Sequence, residues 1–205
     1  MSQSRLSTAL DDGLLALPEG NIAIMRPSVT YDVSSLPREN VQIIHGFYPA
    51  YAAWDAAGYP VSQNMAKVTV AIVVVPRAKA LARAMVAEAC AHADLVIVDG
   101  QKTDGVDSLF KACRKTIGDL PSITKGHGRI FWFPATHAFA DWAAPPPAIG
   151  PHGFYTAAGV FSDGAVDAGS ALLAAAFPEK LPARIADLGS GWGYLAAPVL
   201  ARAGV

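Results

Sequence analysis

The sequence is poor in cysteine and has no cluster of metal-ligating side chains. Only two cysteines, Cys90 and Cys113, occur in 205 residues, far apart and without a Cys-x-x-Cys spacing, which excludes a disulfide framework and a zinc site. We expect both to be core thiols. The histidines are scattered without metal-ligand spacing, so no metal is expected; they are His45, His92, His127, His137 and His152.

Long apolar runs and a strong basic charge are missing as well. The longest strand-like apolar run covers residues 68–75, whereas a membrane-spanning helix needs ~20 apolar residues. The N-terminus carries Asp11, Asp12 and Glu19 and lacks the basic-then-apolar order of a signal peptide. The formal net charge of −1 gives the whole chain no electrostatic attraction to nucleic acid. We therefore expect a cytoplasmic protein without membrane contact.

What the sequence does contain is an alternation of strand-like and helical segments. Runs rich in β-branched and aromatic residues predict strands at 21–25, 41–44, 67–75, 95–99 and 129–133. Helix propensity and apolar spacing predict helices at 49–57, 78–93 and 106–117. Because strands and helices alternate, the fold class is predicted to be α/β, with a mainly parallel sheet and helices on both faces.

A proline-rich stretch interrupts this pattern at Pro145, Pro146, Pro147 and Pro151. Proline lacks the amide donor and restricts φ, so the stretch continues neither a helix nor a central strand. The predicted organisation is a domain at 1–144, a linker at 145–153 and the beginning of a second domain at 154–205. The second domain is predicted to contain an extended segment through Val160 and Phe161, a helix at 168–177, a strand at 184–188 and a helix beginning near Tyr194.

The sharpest chemical signal is the run Asp187-Leu188-Gly189-Ser190-Gly191-Trp192-Gly193, between a predicted strand and a predicted helix. Glycines let the backbone take positive φ and approach a ligand closely, and the following helix offers free amide donors. An acidic residue at the carboxyl end of a strand lies where open α/β sheets bind ligands. The run therefore predicts a cofactor turn.

The spacing of the glycines distinguishes between cofactors. A dinucleotide fingerprint requires G-x-G-x-x-G, which would place glycine at Tyr194, whereas the third glycine here is Gly193. A carboxylate at Asp187 also suits a sulfonium and an α-amino group better than a pyrophosphate, which it would repel. S-adenosylmethionine is the favoured cofactor. An NAD(P)-dependent oxidoreductase and a glycine turn without a ligand remain as alternatives.

Two motifs together resemble a known family. The run Asp187 to Gly193 matches the acidic-x-G-x-G-x-G motif of class I methyltransferases, and residues 159–173 resemble the segment before it in ribosomal small-subunit RNA guanine methyltransferases of the methyltransferase small family. The resemblance implies that Phe161, Asp167, Gly169 and Ser170 lie near the methionine end of the cofactor. Taken alone, Asp167 to Ser170 is also typical of a helix N-terminus.

The resemblance extends upstream to residues 75–79 and 94–106, which look like the N-terminal half of the same enzymes. It implies a Rossmann-like sheet of methyltransferase type, present first as a degenerate copy without a cofactor site and then as the incomplete beginning of a second copy. Residues 100–105 contain too few glycines for a cofactor turn, which agrees with the degenerate copy. One small departure is Ala158, where the family commonly has proline.

The resemblance implies methyl transfer from S-adenosylmethionine to a guanine exocyclic amine of small-subunit ribosomal RNA. The Asn-Pro-Pro-Phe motif that holds guanine in this family is absent from the sequence, so no catalytic residue is assigned and the chain as given is expected to be inactive. A non-catalytic RNA- or protein-docking module is the alternative. We also expect residues 184–205 to be disordered or to pack against a second copy, as in a homodimer.

Overall fold

The structure is a computed structural model that describes residues 4–149, 153, 155–157, 159 and 165–202. The chain divides into two compact units, Met1–Ala143 and Ala144–Val205. Among the described helices, none combines the length and the apolar character that a membrane span requires.

The first unit contains a seven-stranded sheet with the order β3-β2-β1-β4-β5-β7-β6. The strands are β1 (Ile22–Met25), β2 (Val41–Ile44), β3 (Val61–Ser62), β4 (Val70–Val74), β5 (Leu95–Gln101), β6 (Ser122–Lys125) and β7 (Gly128–Pro134). The first five strands pair in parallel, and β7 is antiparallel to both of its neighbours. The chain builds outward from β1 to β3 and then returns to β4, so the strand order reverses between β1 and β4.

Four helices accompany this sheet: α1 (Arg5–Asp11), α2 (Tyr48–Ala56), α3 (Lys79–His92) and α4 (Val106–Ile117). Alternate residues of each strand point to opposite faces. Ala71 and Val73 of β4 pack with residues of α3 and α4, whereas Val70 and Ile72 pack with residues of α1 and α2. The predicted mainly parallel sheet with helices on both faces is confirmed.

The predicted elements of this unit are present with small shifts at their ends. The largest shift concerns the strand predicted at 67–75, which covers Val70–Val74 in the structure. It begins later because Val68 N–H donates to the His92 carbonyl and Thr69 N–H to the Asn21 carbonyl rather than to a neighbouring strand. The sequence-based predictions missed one α-helix, α1, and two strands, the two-residue β3 and β6, as well as three short 3-10 helices at Arg38–Asn40, Lys102–Asp104 and His137–Trp142. α1 begins at the cap Ser4, whose side chain accepts a hydrogen bond from Ser7 N–H at 3.1 Å.

The two cysteines contribute to the core of the first unit without pairing. Cys113 is fully buried in the apolar core that α3 and α4 form with one face of the sheet. This burial raises the pKa of its thiol to about 12. Cys90 is half-buried at the edge of the same cluster, and both cysteines are free thiols. Among the described residues there is no group of three or more potential metal-ligating side chains.

The second unit contains a two-stranded sheet of β8 (Ala148–Ile149) and β9 (Tyr155–Thr156), followed by α5 (Ala168–Ala175) and α6 (Ala196–Leu200). The helix predicted at 168–177 therefore ends two residues early. The extended segment predicted through Val160 and Phe161 lies outside the described residues.

The strand predicted at 184–188 is wrong for this structure, because these residues form no strand. A strand needs a neighbour that accepts and donates its backbone hydrogen bonds. In the described part of the second unit, no strand pairs with this segment. Residues 184–188 therefore lack, among the described residues, the partner that would make them a strand.

A buried ion pair joins α1 to β5 at the carboxyl end of the sheet. Arg5 Nε donates to Asp99 Oδ1 at 2.6 Å and Arg5 Nη1 to the Lys125 carbonyl at 3.1 Å. The side chains are only 12% and 6% exposed. Burial raises the pKa of Asp99 above its ordinary value, and the Arg5 guanidinium counters only part of this effect. At Gly128 a Cβ would lie 2.3 Å from Arg5 Nη1, so the arginine occupies space that only glycine leaves open.

Replacing Arg5 with methionine is expected to lower the free energy of unfolding by about 3–5 kcal/mol, because Asp99 is left buried without its partner. The double variant R5M/D99N is expected to recover part of this loss, since it leaves no buried charge. Arg77→Met is the matched control, because its side chain is 84% exposed and should contribute less than about 1 kcal/mol. Urea denaturation, monitored by tryptophan fluorescence, measures the free energy of unfolding of all three variants. An equal loss of this free energy in R5M and R77M would contradict the stabilising role of the buried pair.

Candidate cofactor-binding site

The glycine-rich turn of the second unit has a backbone that few other residues adopt. Gly189, Gly191 and Gly193 have φ values of +78°, +57° and +90°. All three values lie in the left-handed region, where a side chain with a Cβ is strained. A Cβ added at Gly189 or Gly193 would meet nothing within 4 Å. Glycine is therefore required by the backbone conformation, and the space beside these two positions is open to a ligand.

Asp187 lies just before this turn and has an unsatisfied oxygen. The residue is half-buried, and its Oδ2 atom is buried without a hydrogen-bond partner in the part of the chain that the structure describes. A buried carboxylate oxygen without a donor is costly, and native proteins rarely leave one in that state. The oxygen therefore fits a ligand that brings hydrogen-bond donors or a positive charge.

An open groove of about 550 Å³ begins at the same carboxylate. Its walls come from α5, from the segment that precedes the glycine turn, and from α6. Apolar side chains dominate, among them Leu173, Phe177, Ile185 and Val199, while Asp187 and Arg184 are the ionisable groups that line it. The groove combines apolar walls with one carboxylate and one guanidinium, and apolar walls with a few polar groups are the usual composition of a small-molecule site.

The structure brings only part of the predicted site together at this groove. Asp187 lines the groove, but the residues from Gly189 to Gly193 do not. Trp192 lies against Tyr194, with ring centroids 5.5 Å apart and planes tilted by 59°. Leu173 and Phe177 were not predicted as site residues, although their spacing of four residues in a predicted helix was a signal that they share one face.

The second predicted group, Asp167, Gly169 and Ser170, forms the N-terminus of α5. Asp167 Oδ2 accepts hydrogen bonds from Ser170 N at 2.9 Å and from Ser170 Oγ at 3.1 Å. A Cβ on Gly169 would lie 3.1 Å from the same oxygen. These contacts are those of a helix cap, the alternative that the sequence left open. Their predicted contact with a cofactor stays a prediction, and Phe161 lies outside the described residues.

Comparison with solved structures relates the chain to a methyltransferase. A 16S rRNA N2 G1207 methyltransferase (RsmC) of T. thermophilus, in complex with AdoMet and guanosine, has 21% sequence identity and a TM-score of 0.60 over 83% of this chain. The chain spans only about half of that protein, 51% of its length. A Thermoplasma acidophilum protein, 1320, has 12% identity and a TM-score of 0.43, covering 65% of this chain and 83% of its own.

No curated protein matches the chain. The likeness to the T. thermophilus enzyme, at this level of identity, concerns the fold and confirms the predicted Rossmann-like methyltransferase architecture. At the level of sequence, residues 152–205 match the methyltransferase small domain. This segment includes Asp187 and the three glycines of the turn. The match supports the resemblance to the methyltransferase small family that the sequence predicted for this segment.

Proposed function

We propose that the turn from Asp187 to Gly193 binds S-adenosylmethionine. The observation that carries the proposal is the unsatisfied Oδ2 atom of Asp187 next to three glycines with left-handed backbone, in a segment that matches the methyltransferase small domain. When bound, the cofactor supplies an electrophilic methyl group on a sulfonium. Asp187 would accept hydrogen bonds from the cofactor and balance its positive charge.

The other predicted residues would contribute in different ways. The open space beside Gly189 and Gly193 lets a ligand approach the main chain, which a side chain at either position would hinder. Ser190 and Trp192 lie within the same turn and would form its outer wall. Asp167, Gly169 and Ser170 would position α5 through the cap at Asp167, with Phe161 nearby in the sequence.

We further propose that the protein methylates a guanine exocyclic amine of small-subunit ribosomal RNA. Support comes from the fold shared with the T. thermophilus enzyme, which is described as an N2 methyltransferase of 16S rRNA and binds guanosine. The chain as given would not perform the transfer, because its sequence contains no Asn-Pro-Pro-Phe motif to hold the guanine. A second candidate, an RNA- or protein-docking module, is favoured by the complete seven-stranded sheet of the first unit.

Exposed apolar side chains of the second unit favour contact with another protein surface. Leu172, Leu188 and Leu200 are 73%, 93% and 74% exposed within the chain. Exposed aliphatic side chains at this density mark a surface that is covered in the assembled protein. A homodimer remains one proposal for what covers it, and further protein downstream is the other.

Asp187→Ala is expected to weaken S-adenosylmethionine binding by roughly 10- to 100-fold, because a hydrogen bond to a charged group contributes about 1.5–3 kcal/mol. Isothermal titration calorimetry measures this affinity, and it should use the longest protein that the reading frame encodes. Glu179→Ala is the matched control, since it removes an exposed carboxylate from the same unit. Unchanged affinity in the Asp187 variant, or tighter binding of NAD(P)H than of S-adenosylmethionine, would count against the proposed cofactor.

Labelled S-adenosylmethionine and small-subunit ribosomal RNA test the substrate. The protein with its downstream sequence is expected to place label on the exocyclic amine of guanine, whereas residues 1–205 alone should transfer none. Nuclease digestion followed by mass spectrometry locates the methyl group. Label on a different base, or transfer by residues 1–205 alone, would refute the corresponding part of the proposal.

Two substitutions at Asp167 separate a cap from a cofactor contact. Asparagine caps helices about as well as aspartate, so Asp167→Asn should keep the stability within a few tenths of a kcal/mol, roughly, while Asp167→Ala should lose about 1 kcal/mol. A contact with the positively charged cofactor predicts that Asp167→Asn weakens S-adenosylmethionine binding without loss of stability. Thermal denaturation and calorimetry measure the two effects. Wild-type affinity in the asparagine variant would restrict Asp167 to the cap.

A further inference from the structure

A crevice of about 620 Å³ opens in the first unit at the carboxyl ends of β1 and β4. This is the point where the strand order reverses, and open α/β sheets bind their ligands at such points. Loops that follow four parallel strands line it: Arg26 after β1, His45 and Phe47 after β2, Arg77 after β4 and Gln101 at the end of β5. All of the residues that line the crevice belong to the first unit.

The charge in this crevice is positive. Arg5 and Arg77 line it too, but Arg5 is paired with Asp99 and Arg77 with Asp104 at 3.3 Å. The guanidinium of Arg26, by contrast, forms neither an ion pair nor a hydrogen bond with any described group of the chain. One arginine charge therefore remains for an anionic ligand. The same charge repels a sulfonium, which distinguishes this crevice from the site beside Asp187.

His45 adds a hydrogen-bond donor beside Arg26. Its Nδ1 atom accepts a hydrogen bond from Phe47 N–H at 3.1 Å, so in the neutral ring the proton lies on Nε2. Burial lowers the pKa of His45, and the nearby Arg26 lowers it further, which keeps the ring neutral at physiological pH. Nε2–H is then available to a ligand oxygen in the crevice.

The backbone of Arg26 is strained in the position that this arrangement requires. Its φ is +54°, a left-handed value that arginine rarely adopts. Its N–H donates to the Ile44 carbonyl at 2.8 Å and so continues the β1–β2 pairing by one residue, directly before the backbone turns away. Such strain persists where the surrounding structure enforces it and concentrates at ligand sites. Glycine would relieve the strain and would also remove the guanidinium.

An aromatic ring and a buried hydroxyl complete the lining. Phe47 is 59% exposed at the crevice and offers a ring face to a planar group. The Tyr31 hydroxyl is buried in the lining, next to the Asp99 carboxylate. Burial raises the pKa of Tyr31 and the neighbouring Asp99 carboxylate raises it further, so the hydroxyl keeps its proton. While this proton is directed to Asp99, the hydroxyl oxygen can still accept a hydrogen bond from a ligand.

We propose that this crevice binds a nucleotide, with its phosphate at Arg26 and His45 Nε2 and its base against Phe47. The Tyr31 hydroxyl would reach a polar atom of the sugar or base. A cation, an aromatic face and a buried hydroxyl in one crevice match the phosphate, base and sugar of a nucleotide, and the volume suits a ligand of that size. The nucleotide is free or part of an RNA strand, and only the second source rests on the proposed function.

Calorimetry on the full chain tests the proposal with GMP, AMP, guanosine, inorganic phosphate and a single-stranded pentaribonucleotide as probes. A nucleoside monophosphate is expected to bind at least tenfold more tightly than guanosine or phosphate alone. A pentaribonucleotide that binds more tightly than GMP indicates RNA as the source, and equal binding indicates a free nucleotide. No nucleotide binding at millimolar concentration would overturn the proposal.

Arg26→Gly is the decisive variant, because it removes the charge while relieving the strained φ. Nucleotide affinity is expected to fall at least tenfold with no decrease in melting temperature. His127→Gly is the matched control, since His127 also has a positive φ of +56° but does not line the crevice. Unchanged nucleotide affinity in Arg26→Gly, or an equal loss in His127→Gly, would contradict the assignment.

Phe47→Ala separates base from phosphate recognition. The variant is expected to weaken GMP binding severalfold and to leave phosphate binding unchanged. S-adenosylmethionine affinity, measured on the longer protein, should be the same in Arg26→Gly and wild type. Loss of S-adenosylmethionine binding by Asp187→Ala tests the cofactor site alone, so the two proposals can fail independently.

Discussion

Backbone pairing between β1 and β4 is the interaction on which the first unit depends. The two strands pair in parallel from Ile22 with Val70 to Met25 with Val73. This pairing joins the half of the sheet built outward from β1 to the half built from β4. It also separates the loops after the two strands, which opens the crevice between them. Both the core on either face and the candidate nucleotide site therefore follow from one register.

The same requirement for a partner strand accounts for the second unit. Residues 184–188 have a strand-like sequence but no neighbour among the described residues, so they remain irregular. The glycine turn nevertheless takes its left-handed backbone, because that conformation is local and depends on the glycines themselves. The glycine turn therefore keeps its conformation although no described strand pairs with the segment before it.

Charge distinguishes the ligand chemistry of the two units. In the second unit an unsatisfied carboxylate at Asp187 suits a cation. In the crevice of the first unit, Arg5 neutralises the carboxylate of Asp99, and the charge left for a ligand is that of Arg26. The two proposed sites thus suit ligands of opposite charge, because a ligand recognises the residues of the loops and not the sheet.

The sequence by itself determined the α/β class, most strands of the first unit and the glycine turn, since apolar periodicity and glycine spacing are local properties. It did not reveal β3 or β6, which are short and exist through pairing, nor the crevice. Arg5, Tyr31 and Asp99 are distant along the chain, and only the tertiary structure brought them together. The left-handed backbone of Arg26 likewise appears only in the tertiary structure, because nothing in arginine itself favours that conformation.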